Sequence, residues 1–503
     1  MEVNMSSKKF FSLLLLFLFL VCNKSVNGQV NLQKIGVYQY TQYNGIWYTA
    51  VNGKKGDRVD TKHLLIRLKD RTNIKQFDFS ALNIPQLKMV RGEFADGFYE
   101  LEIPNKIDGF KIARKLIQTE RFEDVLFNIF FEVDASPNDT HYGSQWNLSK
   151  ISMPDAWNFS TGDNSIIVAV IDVGTDYDHE DLAGNCWTNI GYDFYDNDDD
   201  PYPSDDARHG TAVTGILGAV THNSTGVAGV AGGWNGSGGI RIMHLDAGYR
   251  WFDTETQQWR ESISLSAASE AIDSAATWGA RVINMSFGGY SGYSPLESAL
   301  NRAINNYDVV CVASAGNYSQ GQSTSVKYPA AYSNVIAVGV TISNDNRKEL
   351  NDGTESWWGS CYGSQLDVMA PGVYIYTTDL TGSVGYDSGN YYSSFNGTSS
   401  AAPQVAGLAA LIRSMNSSLT WQQVRETIRV STDKVSGMGG QNFTNEYGYG
   451  RINANKAVRN LYVPEVFTTI QSAVNNWSSG QTVKISSGEF SENFTVNGKD
   501  GQC

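Results

Sequence analysis

The run Ser165-Ile166-Ile167-Val168-Ala169-Val170-Ile171 is apolar at all but its first position, and this restricts the fold more than any other feature. A strand with one wet face alternates apolar and polar residues, whereas a strand apolar throughout needs cover on both faces. Val309-Val310-Cys311-Val312-Ala313 reads the same way. Between such runs lie helical patterns, as in Gly210 to Ala219 and Ala401 to Met415. Strands alternating with helices imply an α/β domain, a parallel sheet with helices on both faces. A texture of Gly, Ala, Ser and Asn marks its extent as residues 137–461.

The flanks differ. Residues 29–136 are rich in Lys, Phe and Tyr, with strand-like alternation in His63 to Leu68 and Phe98 to Ile103 and a helical stretch from Ile112 to Arg121, which predicts a small α+β unit. Residues 462–503 contain Thr468 to Val474, Gly480 to Ile485 and Gly488 to Phe490, a pattern similar to the opening turns of a right-handed parallel β-helix, and are expected to be an incomplete one. At the start, Lys8 and Lys9 precede the apolar run Phe10 to Cys22, and a polar stretch ends at Gly28. This predicts a signal peptide over residues 1–28. The run of 13 residues is short for a bilayer span of about 20, so a secreted protein without a stable membrane anchor is expected.

A formal charge of −14 disfavours nucleic acid, whose phosphates are neutralised by Lys and Arg. Export permits disulfides, but Cys186, Cys311, Cys361 and Cys503 have unrelated spacings that fix no pairing. Cys311, inside an apolar strand, reads as a packed free thiol. No Cys/His zinc spacing occurs.

Three short segments carry chemistry. Asp172 ends the apolar strand, His209 opens a helical pattern, and Ser399 lies in Gly397-Thr398-Ser399-Ser400-Ala401-Ala402-Pro403. Strand ends and helix starts are where an α/β protein presents reactive groups. A serine hydroxyl needs a histidine to accept its proton, and that imidazole needs a carboxylate to orient it. The oxyanion then formed needs donors in place. Asn317, in Ala313-Ser314-Ala315-Gly316-Asn317, offers an amide, and the Ser399 backbone N–H a second donor. Taken singly, each of these segments also reads as an ordinary loop, cap or turn.

Together, in the order Asp172, His209, Asn317, Ser399, they resemble the subtilisin family, and the resemblance covers roughly Pro137 to Leu461. It includes Leu366 to Gly372, Gly448 to Ala454, and Asn284 to Gly289, which is similar to the family's extended substrate-binding strand. It implies a subtilisin-like fold and a serine endopeptidase working through an acyl-enzyme, with Asp172, His209 and Ser399 as triad and Asn317 as oxyanion donor. Ser286, Phe287, Gly288 and Gly289 would bind protein or peptide substrates. Residues 29–136 would be a propeptide acting as intramolecular inhibitor, processed near Asp134 to Thr140. Departures are Val173 where Ser or Thr is usual, Ala212 where His is usual, and Ser400 where Met is usual. The rival readings are an inactive subtilisin-like binding module, which requires a lost catalytic group, and a carbohydrate-active protein, for which the C-terminal segment shows no acidic cluster.

The resemblance also implies calcium. The acidic loop Gly191 to Pro201 is similar to a thermitase-like calcium loop, with Asp193, Asp196, Asp198 and Asp200 as ligands, although plain solvation would equally relieve its charge. A second site would use Asp181 and Asn223, with Gln145 as a further candidate. Lys327, just before Tyr328-Pro329, stands where relatives have the floor of the primary specificity pocket. Either its ammonium favours an acidic substrate side chain, or its stem carries the charge out to solvent.

Overall fold

A computed structural model describes residues 31–485, apart from 44–45, 52–53, 70–86, 95–96, 105–106, 131–135, 204, 464 and 477–480. The signal peptide, Cys503, Gly488 to Phe490 and the start of the expected processing region lie outside the described residues. The chain divides into two compact units, one up to Val133 and the other from Asp134.

The first unit is a seven-stranded antiparallel sheet with one helix, Gly109–Gln118. Its long strand Lys54–Leu68 pairs on one side with Phe98–Glu102 and on the other with Phe122–Phe130. Asp108 caps the helix by accepting the Phe110 N–H at 2.9 Å. Ile112, Ala113 and Leu116 then turn inward against Leu64, Ile66, Leu101 and Phe127.

The second unit is built on a parallel sheet in the order Val368–Pro371, Ile336–Thr341, Val310–Ser314, Ala280–Met285, Ile167–Asp172, Arg241–Asp246, Cys186–Asp193. Side chains alternate between sheet faces along a strand. Val168 and Val170 therefore join one core with helix Thr398–Met415, while Ala169 and Ile171 join a second core with helices Leu265–Thr277 and Ser294–Tyr307. Both faces are covered, as the uniformly apolar strands require. Cys311 is buried and unpaired in the second core, and burial pushes its thiol pKa up.

Beyond residue 459, strand Asn460–Val463 pairs in parallel with Thr482–Ile485, with helix Ile470–Asn475 between them. Leu461, Val463, Phe467, Ile470, Ala473 and Val474 pack into the same core as the sheet's valines. Among the described residues, no helix is long and apolar enough to cross a membrane.

Candidate active site

Asp172 is the last residue of its strand, and His209 is the first of helix His209–Gly218. His209 Nδ1 lies 2.8 Å from Asp172 Oδ1, which also accepts the Val173 N–H at 2.9 Å. The other oxygen, Oδ2, is buried without a hydrogen-bond partner among the described residues. Burial works against the imidazolium, but the charge and hydrogen bond of Asp172, joined by the charge of Glu261, outweigh it and raise the His209 pKa above its ordinary value. Phe395 meets the imidazole edge to face at 5.5 Å.

Ser399 sits in the first turn of the buried helix Thr398–Met415, after Gly397 at φ 115°. Its hydroxyl donates to the Ser286 carbonyl at 2.9 Å, and Ser286 Oγ donates back to the Ser399 carbonyl at 3.1 Å. The Asn317 amide is held by its oxygen, which accepts from Thr398 N and Thr398 Oγ1, both at 3.0 Å. Nδ2 is thereby turned toward the helix start, and a β-carbon on Gly397 would stand only 3.1 Å from it. Asp172, His209, Ser399 and Asn317 all lie at the carboxyl end of the sheet. This arrangement can carry proton transfer from a hydroxyl to an oriented imidazole, with an amide donor nearby.

The expected substrate strand is unevenly free. Gly289 exchanges both backbone hydrogen bonds with Tyr328, at 2.8 and 2.9 Å. The Ser286 carbonyl is taken by Ser399 and that of Phe287 is approached by Ser314 Oγ at 3.5 Å, while Gly288 is exposed and has no backbone partner among the described residues. Lys327 is half-buried, and β-carbons placed on Gly316 and Gly288 would come within 2.6 and 3.1 Å of its stem. Its Nζ rests 4.5 Å from the centre of the Tyr290 ring.

The expected calcium ligands fare differently. Among the described residues, no three His, Cys, Asp or Glu side chains converge as a metal-holding group. In the acidic loop only Asp193 is buried, and its Oδ1 accepts from Tyr195 N and Asp196 N; Asp196, Asp198 and Asp200 are exposed. Asp198 accepts from Asp200 N, and Asp200 from Tyr177 OH and Tyr202 N. Asp193, Asp198 and Asp200 thus each use Oδ1 as an acceptor close in sequence or beside the loop. At the other place, Asp181 is fully buried with its pKa pushed up to about 7 by that burial, and its Oδ1 lies 2.7 Å from Asn223 Nδ2. Gln145 is engaged by both backbone groups of Ala228. Asp139, which sequence reasoning missed, is buried beside this pair and accepts from His222 N and Asn223 N. Two buried carboxylates without a Lys or Arg ion pair among the described residues supply the oxygen donors that a hard cation takes.

Other missed residues are Glu261 and Asp246. Asp246 stands in register between Asp172 and Asp193. Burial is the main cause raising its pKa to about 9, with the neighbouring carboxylates adding to it.

With this geometry in place, the comparisons with known proteins decide the family. The profile of the subtilase family, peptidase S8, matches residues 163–450. The chain belongs to the subtilase family. It is 38% identical over 325 residues to thermitase of Thermoactinomyces vulgaris, covering 64% of this chain and 99% of thermitase. To the thermophilic serine proteinase of Bacillus sp. strain AK1 it is 40% identical over 332 residues, 66% of this chain and 71% of that one. A solved protease from Pseudoalteromonas arctica PAMC 21717 superposes with a TM-score of 0.52 at 27% identity, over 64% of this chain and 99% of that chain. The subtilase is thus a serine endopeptidase with a thermitase-like catalytic region.

Proposed function

We propose that this subtilase is a secreted endopeptidase that cleaves through an acyl-enzyme, with Ser399 as nucleophile, His209 as general base and Asp172 orienting it. The observation that carries this reading is the 2.8 Å contact between His209 Nδ1 and a buried Asp172, at the same end of the sheet as a serine in the first turn of a helix. Before attack the Ser399 hydroxyl leaves the Ser286 carbonyl by rotating about χ1, and His209 Nε2 takes its proton as Oγ bonds to the scissile carbonyl carbon. The Asn317 Nδ2 and the Ser399 N–H receive the oxyanion. His209 then passes the proton to the leaving amine, and water repeats the sequence on the acyl-enzyme. Phenylmethylsulfonyl fluoride is expected to modify Ser399, read as a mass shift on the peptide that carries it. Modification elsewhere with Ser399 untouched overturns the assignment.

Residues 29–136 fit the place of a propeptide, and the N-terminal 28 residues that of a signal for export. Gly288, with its free backbone, pairs with the extended substrate. Calcium, the hard cation implied by the family, would be held by Asp181, Asn223 and Asp139. It would neutralise two buried carboxylates that have no cationic partner there. A ligand bound only by the folded state at a hundred times its Kd stabilises by about 2.7 kcal/mol. Excess chelator is therefore expected to lower Tm by several degrees relative to excess calcium, and Asp181→Asn to abolish that difference. An unchanged Tm in the wild type rules the site out.

Lys327 supports a preference for acidic side chains at the residue preceding the cleaved bond. Its stem lies along Gly288 and Gly316, which lines it beside the substrate strand and Asn317, and no carboxylate among the described residues pairs with its ammonium. The half-exposed contact with Tyr290 is worth about 0.5–1 kcal/mol, less than a charge-assisted bond to a carboxylate at about 1.5–3 kcal/mol. Lys327→Met keeps the stem and removes the charge. It is expected to lower the ratio of kcat/KM for Glu over Gln at that substrate position by about tenfold or more, in a paired peptide assay. An unchanged ratio excludes Lys327 from specificity.

A further inference from the structure

Between strand Arg241–Asp246 and helix Leu265–Thr277 the chain makes a two-stranded ribbon, Gly248–Asp253 paired with Gln258–Ile263 over six residue pairs. Its register settles which side chains share a face: Arg250 with Glu261 and Phe252 with Trp259 on one, Tyr249 with Ser262 and Trp251 with Arg260 on the other. The first face is turned toward the segment that leads into His209. Glu261 Oε1 accepts the Arg208 N–H at 2.9 Å, and Arg250 Nη1 donates to the Asp206 carbonyl at 3.1 Å. On the second face Tyr249 is braced from outside the ribbon, stacked on Tyr195 at 4.8 Å, while Trp251 Nε1 bonds within the ribbon to Ser262 Oγ at 2.9 Å.

Phe252 and Trp259 have no such brace. They stand 41% and 56% exposed, touching each other edge to face at 5.3 Å, with the Arg250 guanidinium 4.6 Å over Trp259. An isolated two-stranded ribbon is marginal in water, and exposing two large aromatics on it is costly unless something covers them. Trp259 stands two positions before Glu261, about 7 Å along a strand. Glu261 in turn touches the residue before His209. The aromatic pair is therefore continuous with the cleft in which the endopeptidase holds its substrate, set to one side of it.

We propose that Phe252 and Trp259 form an exosite for the substrate polypeptide, gripping apolar side chains several residues from the cleaved bond. This rests on the active-site assignment made above. An extended chain advances roughly 3.3 Å per residue, so a substrate of three residues does not span the cleft and the ribbon together, whereas an unfolded protein does. The occupant is a flexible chain, because a single ribbon face offers a platform and not a concave pocket. Its contribution is to binding, since the platform touches no reacting atom.

The test compares fluorescein-labelled casein with a tripeptide p-nitroanilide on the full-length enzyme. Trp259→Thr and Phe252→Thr retain strand propensity and remove the rings. Each is expected to raise KM for casein about fivefold, with kcat within twofold and the tripeptide kinetics unchanged. Trp259→Phe should keep most of the wild-type KM. Casein binding to Ser399→Ala, with and without Trp259→Thr, should weaken by the same factor in the absence of turnover. If the threonine variants slow casein and tripeptide equally, the aromatic pair only braces the ribbon against the His209 helix, and the exosite is overturned. It is equally overturned if neither substrate is affected. Cleavage by Ser399→Ala would instead defeat the active-site assignment, whatever Trp259 does.

Discussion

Ser399→Ala is expected to abolish peptide hydrolysis while leaving the fold and substrate binding intact. The hydroxyl is the proposed nucleophile, and alanine removes it at the cost of its bond to the Ser286 carbonyl. His209→Ala should fall to a similar floor, because the serine without its base is a weak nucleophile at neutral pH. For the same deletions in subtilisin itself the loss in kcat is known to be about 10⁶, and the two losses do not add, since both groups serve one proton transfer. The double variant is therefore expected to be no slower than either single one. The measurement is turnover of casein at saturating substrate, with circular dichroism to show that the fold persists. Either single variant keeping a tenth of wild-type turnover would sink the mechanism.

The residues proposed as catalytic stand out in the sequence because each sits where local pattern and chemistry coincide. Asp172 closes an uninterrupted apolar run, and Ser399 follows a glycine at a helix start, so type and position point the same way. The strands were readable for a related reason: a run apolar at consecutive positions needs cover on both faces, and the two cores found on either side of Val168 and Ala169 supply it. What escaped the sequence depends on register. The ribbon Gly248 to Ile263 places Glu261 against Arg208 only through its pairing with Arg250, and no spacing along the chain announces that. Asp139 reaches Asn223 across 84 residues for the same reason. In the acidic loop Asp193, Asp198 and Asp200 each turn one oxygen to backbone N–H groups close in sequence, a use that the density of carboxylates does not announce. The strand and helix after Leu461 are legible locally, whereas the core that covers them lies far back in the chain.

Asn317→Ala should separate stabilisation of the oxyanion from assembly of the triad. In the resting site the amide oxygen is fully committed to Thr398, by its N–H and its hydroxyl, so only Nδ2 is free to meet negative charge as it develops. The ground-state carbonyl oxygen carries little charge, and an interaction that strengthens only on the way to the tetrahedral intermediate lowers the barrier without tightening substrate binding. The expected signature is therefore a loss in kcat at nearly constant KM. Removing the corresponding donor of subtilisin is known to cost about 10²–10³ in kcat, and the same range is expected here. The substitution also leaves Thr398 N and Oγ1 without their acceptor, which could loosen the helix start that carries Ser399. Phenylmethylsulfonyl fluoride distinguishes the two effects, because its sulfonyl centre reports whether Ser399 and His209 are still aligned. If inactivation stays within tenfold of wild type while peptide turnover falls a hundredfold or more, the lost group is the oxyanion donor. If both fall together, Asn317 holds the helix start in place and the oxyanion is stabilised by other donors.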